Sequence, residues 1–219
     1  MITNYEYEQI MKKIRLKNDN KCLKSNSFDY SNKNNKIISI DQQFKYLGKK
    51  ESLDIKNRLL YKKNKKNAYE THLQAYILQN IFKIESLNIN KDRLTWIGNE
   101  VSCGVGMQSI DICFIQENNN EAFISICELK DEQPEFRIKN QLEKYIEWIT
   151  DYIIPTYSKK IIIKPIIIAP KPNNKTIVMY EKIKETLEKS DDKTIIEKIK
   201  YISFIEKNNE IYFEEVVDE

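Results

Sequence analysis

One apolar segment in the last third of the chain limits the possible folds more than any other feature. Within residues 161–169 only Lys164 is charged, and Pro165 interrupts the run. A membrane helix needs about 18 apolar residues, so this segment is too short to cross a bilayer. The stretch from Lys164 to Pro170 instead predicts a strand that is apolar on both faces. Such strands occur inside sheets that helices cover on both sides, so we expect an α/β fold.

The elements around this strand alternate between helices and strands. Asn67-Ala-Tyr-Glu70 resembles a helix capping box, and a helix with apolar residues at helical spacing follows it. The elements after that helix are, in order, strands at Leu94–Ile97, Glu100–Cys103, Ser109–Ile115 and Glu121–Lys130, a helix from Pro134 to about Ile153, the buried strand, a helix from about Thr176 to Lys189, a short helix after Asp191-Asp192, and a hairpin around Asn208-Asn209. Residues 67–219 are therefore predicted to form a central mixed β-sheet flanked by helices.

Charge is distributed unevenly along the chain. Residues 1–67 contain 17 Lys and Arg but 7 Asp and Glu, whereas residues 68–219 contain 19 and 26. This asymmetry predicts a basic N-terminal region, residues 1–66, that contacts a polyanion, attached to a more acidic domain, residues 67–219. The densest cationic cluster is Lys62, Lys63, Lys65 and Lys66, which we expect to contact the phosphates or other anionic groups of such a polyanion. A compositional bias toward Lys, Asn and Ile throughout the chain is the simpler alternative.

Several classes of protein are disfavoured. The first residues lack the charged and apolar regions of a signal peptide, and no apolar run is long enough for a membrane helix. The four cysteines, Cys22, Cys103, Cys113 and Cys127, form no Cys-x-x-Cys pair, which disfavours a zinc site. We therefore expect a cytoplasmic protein with reduced thiols and no membrane partner.

Two predicted strands carry the residues that suggest chemistry. Asp111 interrupts an apolar strand, and Glu128-Leu-Lys130 ends the strand joined to it by the turn Glu117-Asn-Asn-Asn120. If the strands pair, Asp111 lies beside Glu128, and Lys130 shares the face of Glu128. Two carboxylates and the backbone carbonyl of Leu129 would suit Mg²⁺, and a nearby lysine could assist a water that attacks a phosphodiester. The alternatives are a solvated Asp111 near a turn and an ordinary exposed strand end.

The same residues resemble the PD-(D/E)XK nucleases, and in particular the nuclease domain of NucS-type endonucleases. The matching pieces, which together span residues 67–206, are Glu70, Gly104-Val-Gly-Met-Gln-Ser-Ile-Asp111, Cys127-Glu-Leu-Lys130, Gln141-Leu-Glu-Lys-Tyr145 and Ile166-Ile-Ile-Ala-Pro170. Each motif is short, but five of them occur in the expected order and on the expected elements. The departures are Ile110, where many members have proline before the aspartate, and a first 66 residues that do not resemble the DNA-binding domain of NucS proteins.

The resemblance implies a PD-(D/E)XK fold and a Mg²⁺-dependent endonuclease that cuts double-stranded DNA. Asp111, Glu128 and the Leu129 carbonyl would bind the metal, and Lys130 would position or activate water. Glu70 would add an acid near the metal, and Gln141 and Tyr145 would border the site. A basic region unlike that of the repair enzymes favours a sequence-specific type II restriction endonuclease, which we expect to be a homodimer because two strands must be cut.

Other interpretations of the same residues stay open. Glu70 could simply complete the capping box, and Gln141 and Tyr145, at positions i and i+4, could belong to an ordinary aromatic stripe. Glu100 is a weaker candidate acid because the direction of its side chain is unknown. At the level of function, the alternatives are a repair or structure-specific endonuclease and a non-catalytic DNA-binding protein on the same fold.

Overall fold

The computed structural model describes residues 28–31, 33–34, 36–39, 55–65, 67–104 and 108–216, and it divides the chain into the units Met1–Leu53 and Asp54–Glu219. In the first unit, strands β1 (Phe28–Ser31) and β2 (Lys36–Ser39) pair antiparallel, with Phe28 opposite Ser39. Most of the predicted basic region lies outside the described residues. The predicted boundary between a DNA-contacting region and a nuclease domain stays a prediction.

The second unit is built on a mixed sheet. Its strands are β3 (Leu94–Ser102), β4 (Ser109–Glu117), β5 (Glu121–Leu129), β6 (Lys160–Pro170), β7 (Lys189–Ser190), β8 (Thr194–Ile196), β9 (Lys200–Lys207) and β10 (Glu210–Glu215). The main order is β10-β9-β6-β5-β4-β3, with β8 beside β6 and β7 beside β8. Strand β6 is parallel to β5, β8 and β9, whereas β3, β4 and β5 pair antiparallel, as do β9 and β10. The predicted mixed sheet is confirmed.

Strand β6 lies in the interior of this sheet, as its composition predicts. Ile161, Ile163, Ile167 and Ile168 are fully buried. On one side β6 pairs with β8 over residues 161–163 and with β9 over residues 166–170. Pro165, which has no N–H to donate, therefore lies in the gap between these two partners, where no ladder bond is required.

Helices cover both faces of the sheet. Helices α1 (Ile55–Asn64) and α2 (Glu70–Gln79) pack on one face through a cluster that includes Leu59, Leu73 and Ile77. Helices α3 (Arg137–Trp148) and α4 (Asn174–Ile183) contribute their buried side chains to a second cluster with strands β4 to β6. The α/β class follows directly from this layering. Within the described residues, the structure contains no helix with the length and apolar character needed to cross a membrane.

The predicted capping box is wrong. Helix α2 begins at Glu70, with Tyr69 rather than Asn67 at its N-cap and no side-chain capping bond. Tyr69 is buried against Phe204, its N–H donates to Asp131 Oδ2 at 3.1 Å, and its hydroxyl donates to the Asp131 carbonyl at 2.8 Å. Packing of this tyrosine sets where the helix starts, so Glu70 is not explained by capping.

Other local predictions need adjustment. The two strands predicted at 94–97 and 100–103 form the single strand β3, and the short helix predicted after Asp192 is strand β8, because the edge of β6 is available for pairing there. Helix α4 ends at Ile183, before the predicted Lys189. Helix α3 ends at Trp148, followed by a π-helical turn, Ile149–Ile153, and short 3₁₀ turns lie at Glu85–Leu87 and Ile154–Thr156. The final hairpin is confirmed, with Asn208 and Asn209 at positive φ.

Candidate active site

Strands β4 and β5 bring Asp111 to the end of their shared ladder. The last paired residues of the ladder are Ile112 and Cys127. Beyond them, Asp111 Oδ2 accepts a hydrogen bond from the backbone N–H of Leu129 at 2.6 Å. The Asp111 carbonyl accepts Nε2 of Gln74 at 2.8 Å. Side chains therefore satisfy backbone groups that the sheet leaves unpaired here. Among the described residues, Asp111 Oδ1 has no hydrogen-bond donor.

Glu128 is the most buried acid in the part of the chain that the structure describes, with 2% of its surface exposed. Its Oε1 contacts Lys130 Nζ at 2.5 Å, and its Oε2 accepts the hydroxyl of Tyr145 at 2.9 Å. The Tyr145 hydroxyl also lies 2.8 Å from the carbonyl of Ser109. The predicted pair Glu128 and Lys130 is thus in contact, and Tyr145 on helix α3 holds the far side of the carboxylate.

These residues open onto one cavity of about 560 Å³. All six residues to which sequence reasoning assigns a catalytic role line it, namely Glu70, Asp111, Glu128, Lys130, Gln141 and Tyr145. The other lining residues are Glu100, Gln108, Ser109, Arg137, Asn140 and Lys144. Leu129 lies between two lining residues with its side chain fully buried, and metal binding by its carbonyl stays a prediction.

The acids of the cleft are difficult to ionise together. Burial, and then the charge of Glu128, raises the pKa of Asp111 from 3.8 to about 7, although the Leu129 N–H acts in the opposite direction. Burial likewise raises the pKa of Glu70, partly offset by Lys130. A cation placed between these carboxylates would relieve the repulsion, so the site favours a positively charged ligand.

Lys130 keeps its proton in this environment. Burial acts to lower its pKa, but the nearby Glu128, Glu70 and Asp111 together outweigh burial and raise it. Burial and the Glu128 charge also raise the pKa of Tyr145 well above its ordinary value. Both groups are therefore hydrogen-bond donors at neutral pH. Lys130 supplies a fixed positive charge at the cleft.

Sequence reasoning missed Gln74, and it left open the direction of the Glu100 side chain, which lines the cleft. Gln74, on α2, is 7% exposed and donates from Nε2 to both the Asp111 carbonyl and Glu100 Oε1, the latter at 2.9 Å. Ser109 donates to Glu100 Oε2 at 2.9 Å, and Glu100 has a φ of 48°, a left-handed conformation that is uncommon for a residue other than glycine. The spacing of Glu70 and Gln74, one helical turn apart, was the sequence signal that could have identified Gln74.

The donor chemistry fits a hard cation, although the acids form no compact cluster. Among the described residues, no group of three or more His, Cys, Asp and Glu side chains is placed to hold a metal ion. Mg²⁺ commonly uses only one or two carboxylates and retains several waters, so Asp111 and Glu128 would be a sufficient protein contribution. Glu128 would have to exchange its contact with Lys130 or Tyr145 for the metal.

The basic cluster predicted to contact DNA is separate from the cleft. Lys62 and Lys63 lie on helix α1 and Lys65 just follows it, and none of these three lines the cavity. Lys63 Nζ binds Glu206 Oε2 at 3.0 Å. Lys66 lies outside the described residues. DNA binding by these lysines stays a prediction.

No protein-family model, curated protein or solved structure matches this chain. The functional interpretation therefore depends on the chemistry and geometry of the cleft itself.

Proposed function

We propose that the chain is a Mg²⁺-dependent endonuclease with a PD-(D/E)XK-type core that hydrolyses phosphodiester bonds in double-stranded DNA. One observation carries the proposal: Asp111 on β4 and the Glu128–Lys130 pair at the end of β5 line one cleft. Placing two carboxylates and an ammonium group at the ends of apolar strands destabilises the fold unless they serve a function. Metal-dependent hydrolysis of a phosphodiester would use both carboxylates as metal ligands and the ammonium group beside the phosphate.

In this proposal Asp111 and Glu128 hold Mg²⁺, with the Leu129 carbonyl as a third oxygen ligand. When bound, Mg²⁺ would supply Lewis-acid stabilisation of the charge that develops on the phosphate. Lys130 stays protonated, so its ammonium positions the attacking water and faces the anionic phosphate. Tyr145 fixes the orientation of the Glu128 carboxylate through its hydroxyl.

Two further residues complete the proposed site. Glu70 is half-buried near Lys130 and would act on Mg²⁺ directly or through a water. Gln141 lines the same cleft from helix α3 and is suited to orient the DNA backbone by amide hydrogen bonds. A homodimer of restriction type would place two such clefts on the two strands of a duplex.

Digestion of a plasmid of known sequence, with Mg²⁺ or with EDTA, tests the proposal. Discrete fragments that need Mg²⁺ support a sequence-specific restriction enzyme. Cutting of branched or mismatched substrates, with intact duplex untouched, indicates a repair or structure-specific enzyme. DNA binding without cleavage of any substrate indicates a non-catalytic DNA-binding protein and contradicts the proposal.

Matched variants assign the activity to the cleft. Asp111→Asn and Lys130→Ala should abolish cleavage while leaving DNA binding intact. Because Lys130→Ala also removes the partner of the buried Glu128 and so lowers stability, circular dichroism verifies that the assayed variant is folded. The controls are Glu117→Gln and Lys159→Ala, because Glu117 lies on the same strand as Asp111 and its Oε2 pairs with Lys159 Nζ at 2.7 Å, outside this cleft. Full activity in either cleft variant, or equal loss in the controls, would refute the assignment.

A further inference from the structure

The exposed face of helix α3 forms one wall of the cleft and carries its own charge pattern. Arg137, Asn140, Gln141 and Lys144 all line the cavity, and their spacing of three and four residues places them on one side of the helix. The opposite side of α3 is buried through Ile138, Leu142 and Ile146. The polar side is therefore held in a fixed orientation toward the cleft.

The two walls of the cleft differ in charge. The acids Glu70, Glu100, Asp111 and Glu128 come from α2, β3, β4 and β5, whereas α3 contributes only cationic and neutral polar residues. Helix α3 also contains the acids Glu143 and Glu147, but neither lines the cavity, and Glu143 pairs with Lys139 at 3.4 Å. An anionic polymer entering the cleft would therefore be repelled by one wall and attracted by the other.

The cations on this wall are available for a ligand. Lys144 makes no ion pair with any residue that the structure describes. Arg137 contacts Glu135 at 3.3 Å, but both side chains are more than 70% exposed, so the pair is weak and a phosphate could displace it. Neither cation is needed to neutralise a buried acid.

We propose that this face of α3 binds the phosphodiester backbone of DNA, with Arg137 and Lys144 as the phosphate-binding cations and Asn140 as a hydrogen-bond donor between them. The proposal rests on the proposed nuclease function and names the surface that directs the substrate to the acids. It assigns this role to residues distinct from Lys62, Lys63, Lys65 and Lys66.

The dimensions of the surface agree with this substrate. Lys144 follows Arg137 by seven positions, which is a rise of about 10 Å along the helix. This distance equals the axial rise of about three nucleotides of one DNA strand. Tyr145, the residue after Lys144, contacts Glu128 at 2.9 Å, so a strand bound along α3 passes next to the proposed metal ligands.

The test measures binding of a labelled random-sequence duplex by fluorescence anisotropy at several salt concentrations, in EDTA, with the full chain carrying Asp111→Asn so that no cleavage occurs. We expect the double variant Arg137→Ala/Lys144→Ala to bind roughly tenfold more weakly, and the slope of log K against log salt to fall by about 2, because two phosphate contacts are lost. Lys144→Glu should weaken binding more than Lys144→Ala, because it places a negative charge where a phosphate would bind.

Helix α4 provides a closely matched control. Lys175 and Lys182 are also exposed cations seven residues apart, and neither lines the cleft. The double variant Lys175→Ala/Lys182→Ala removes the same charge and should leave the affinity and the salt slope close to those of the parent. Circular dichroism and thermal unfolding verify that both double variants are folded.

The outcomes separate this proposal from the nuclease proposal. If the parent binds DNA and the α3 and α4 variants lose affinity equally, or neither loses it, the α3 surface is not the binding site, although the nuclease proposal stands. If the parent binds no DNA at all in EDTA, the α3 surface is not a binding site, and the plasmid digest with Mg²⁺ decides the nuclease proposal separately. A selective loss in the α3 variant, with the reduced salt slope, supports the inference.

Discussion

Replacing Asp111 by asparagine should make the metal-free protein more stable at neutral and alkaline pH. The carboxyl has a pKa of about 7 in the folded protein, against 3.8 for an ordinary aspartate, chiefly because of burial and the nearby Glu128. A group with a raised acid pKa supports folding fully below its unfolded pKa, and that support is lost as the pH rises through the folded pKa. Asparagine resembles the protonated state at every pH.

The pKa difference sets the magnitude of this effect. A rise of roughly three pKa units corresponds to about 4 kcal/mol of unfolding free energy once the pH exceeds 7. At pH 5 the folded carboxyl is mostly protonated, and the expected advantage of the variant falls to about 2 kcal/mol. For a chain of this size, about 4 kcal/mol corresponds to a rise in Tm of roughly 10 °C. The asparagine side chain can still accept the Leu129 N–H through its carbonyl oxygen, so that contact is preserved.

Thermal and urea unfolding in EDTA at pH 5 and pH 8 measure this difference. Glu117→Gln is the matched control on the same strand, and it should act in the opposite direction, because hydrogen bonding to Lys159 lowers the pKa of Glu117 and makes its charge favourable. Added Mg²⁺ should raise the Tm of the parent at pH 8 more than that of Asp111→Asn. A variant less stable than the parent at pH 8, or a stability gap that does not change with pH, would refute the reasoning.

Three further substitutions test other parts of the structure. Tyr145→Phe removes the hydroxyl that donates to Glu128, so it should lower the unfolding free energy by about 2 kcal/mol and reduce the cleavage rate. Urea titration measures the first effect, and an unchanged stability would contradict the contact. Gln74→Met removes the donor to the Asp111 carbonyl and should cost about 1–3 kcal/mol, measured in the same way, whereas a neutral effect would show that the bridge is unimportant. Gly98→Ala would place a Cβ 2.5 Å from the Trp96 ring, so it should lower Tm by several degrees. The cleavage rate per folded molecule should not change. An unaltered Tm would contradict the packing around Gly98.

The sequence identified the polar residues at the ends of β4 and β5 because successive side chains of a strand point to opposite faces of the sheet. Asp111 and Glu128 interrupt apolar strands, and a buried carboxylate needs a partner, so their positions alone indicated a site. The two-residue spacing of Glu128 and Lys130 likewise predicted that their side chains lie on one face. In the structure the two side chains are in contact.

The sequence did not predict the specific hydrogen bonds that these residues make, although the family resemblance placed Tyr145 at the site. Gln74 reaches Asp111 across 37 residues, and Tyr145 reaches Glu128 across 17. The start of α2 also depends on a distant contact, since Tyr69 packs on Phe204 and Asp131. Contacts of this kind depend on how helices dock on the sheet, and no local pattern records them.

The sequence by itself determined the α/β class, the buried strand β6 and the final hairpin, because each follows from side-chain periodicity. It also indicated that Asp111, Glu128 and Lys130 lie together, because charge placed in an apolar strand needs a partner. Only the tertiary structure decided that residues 194–196 form a strand on the edge of β6, that Glu100 is held at the cleft, and that α3 presents Arg137 and Lys144 to it. Those features depend on pairing and packing between elements that are far apart in the chain. Such tertiary contacts outweigh the local preference of a segment for helix or strand.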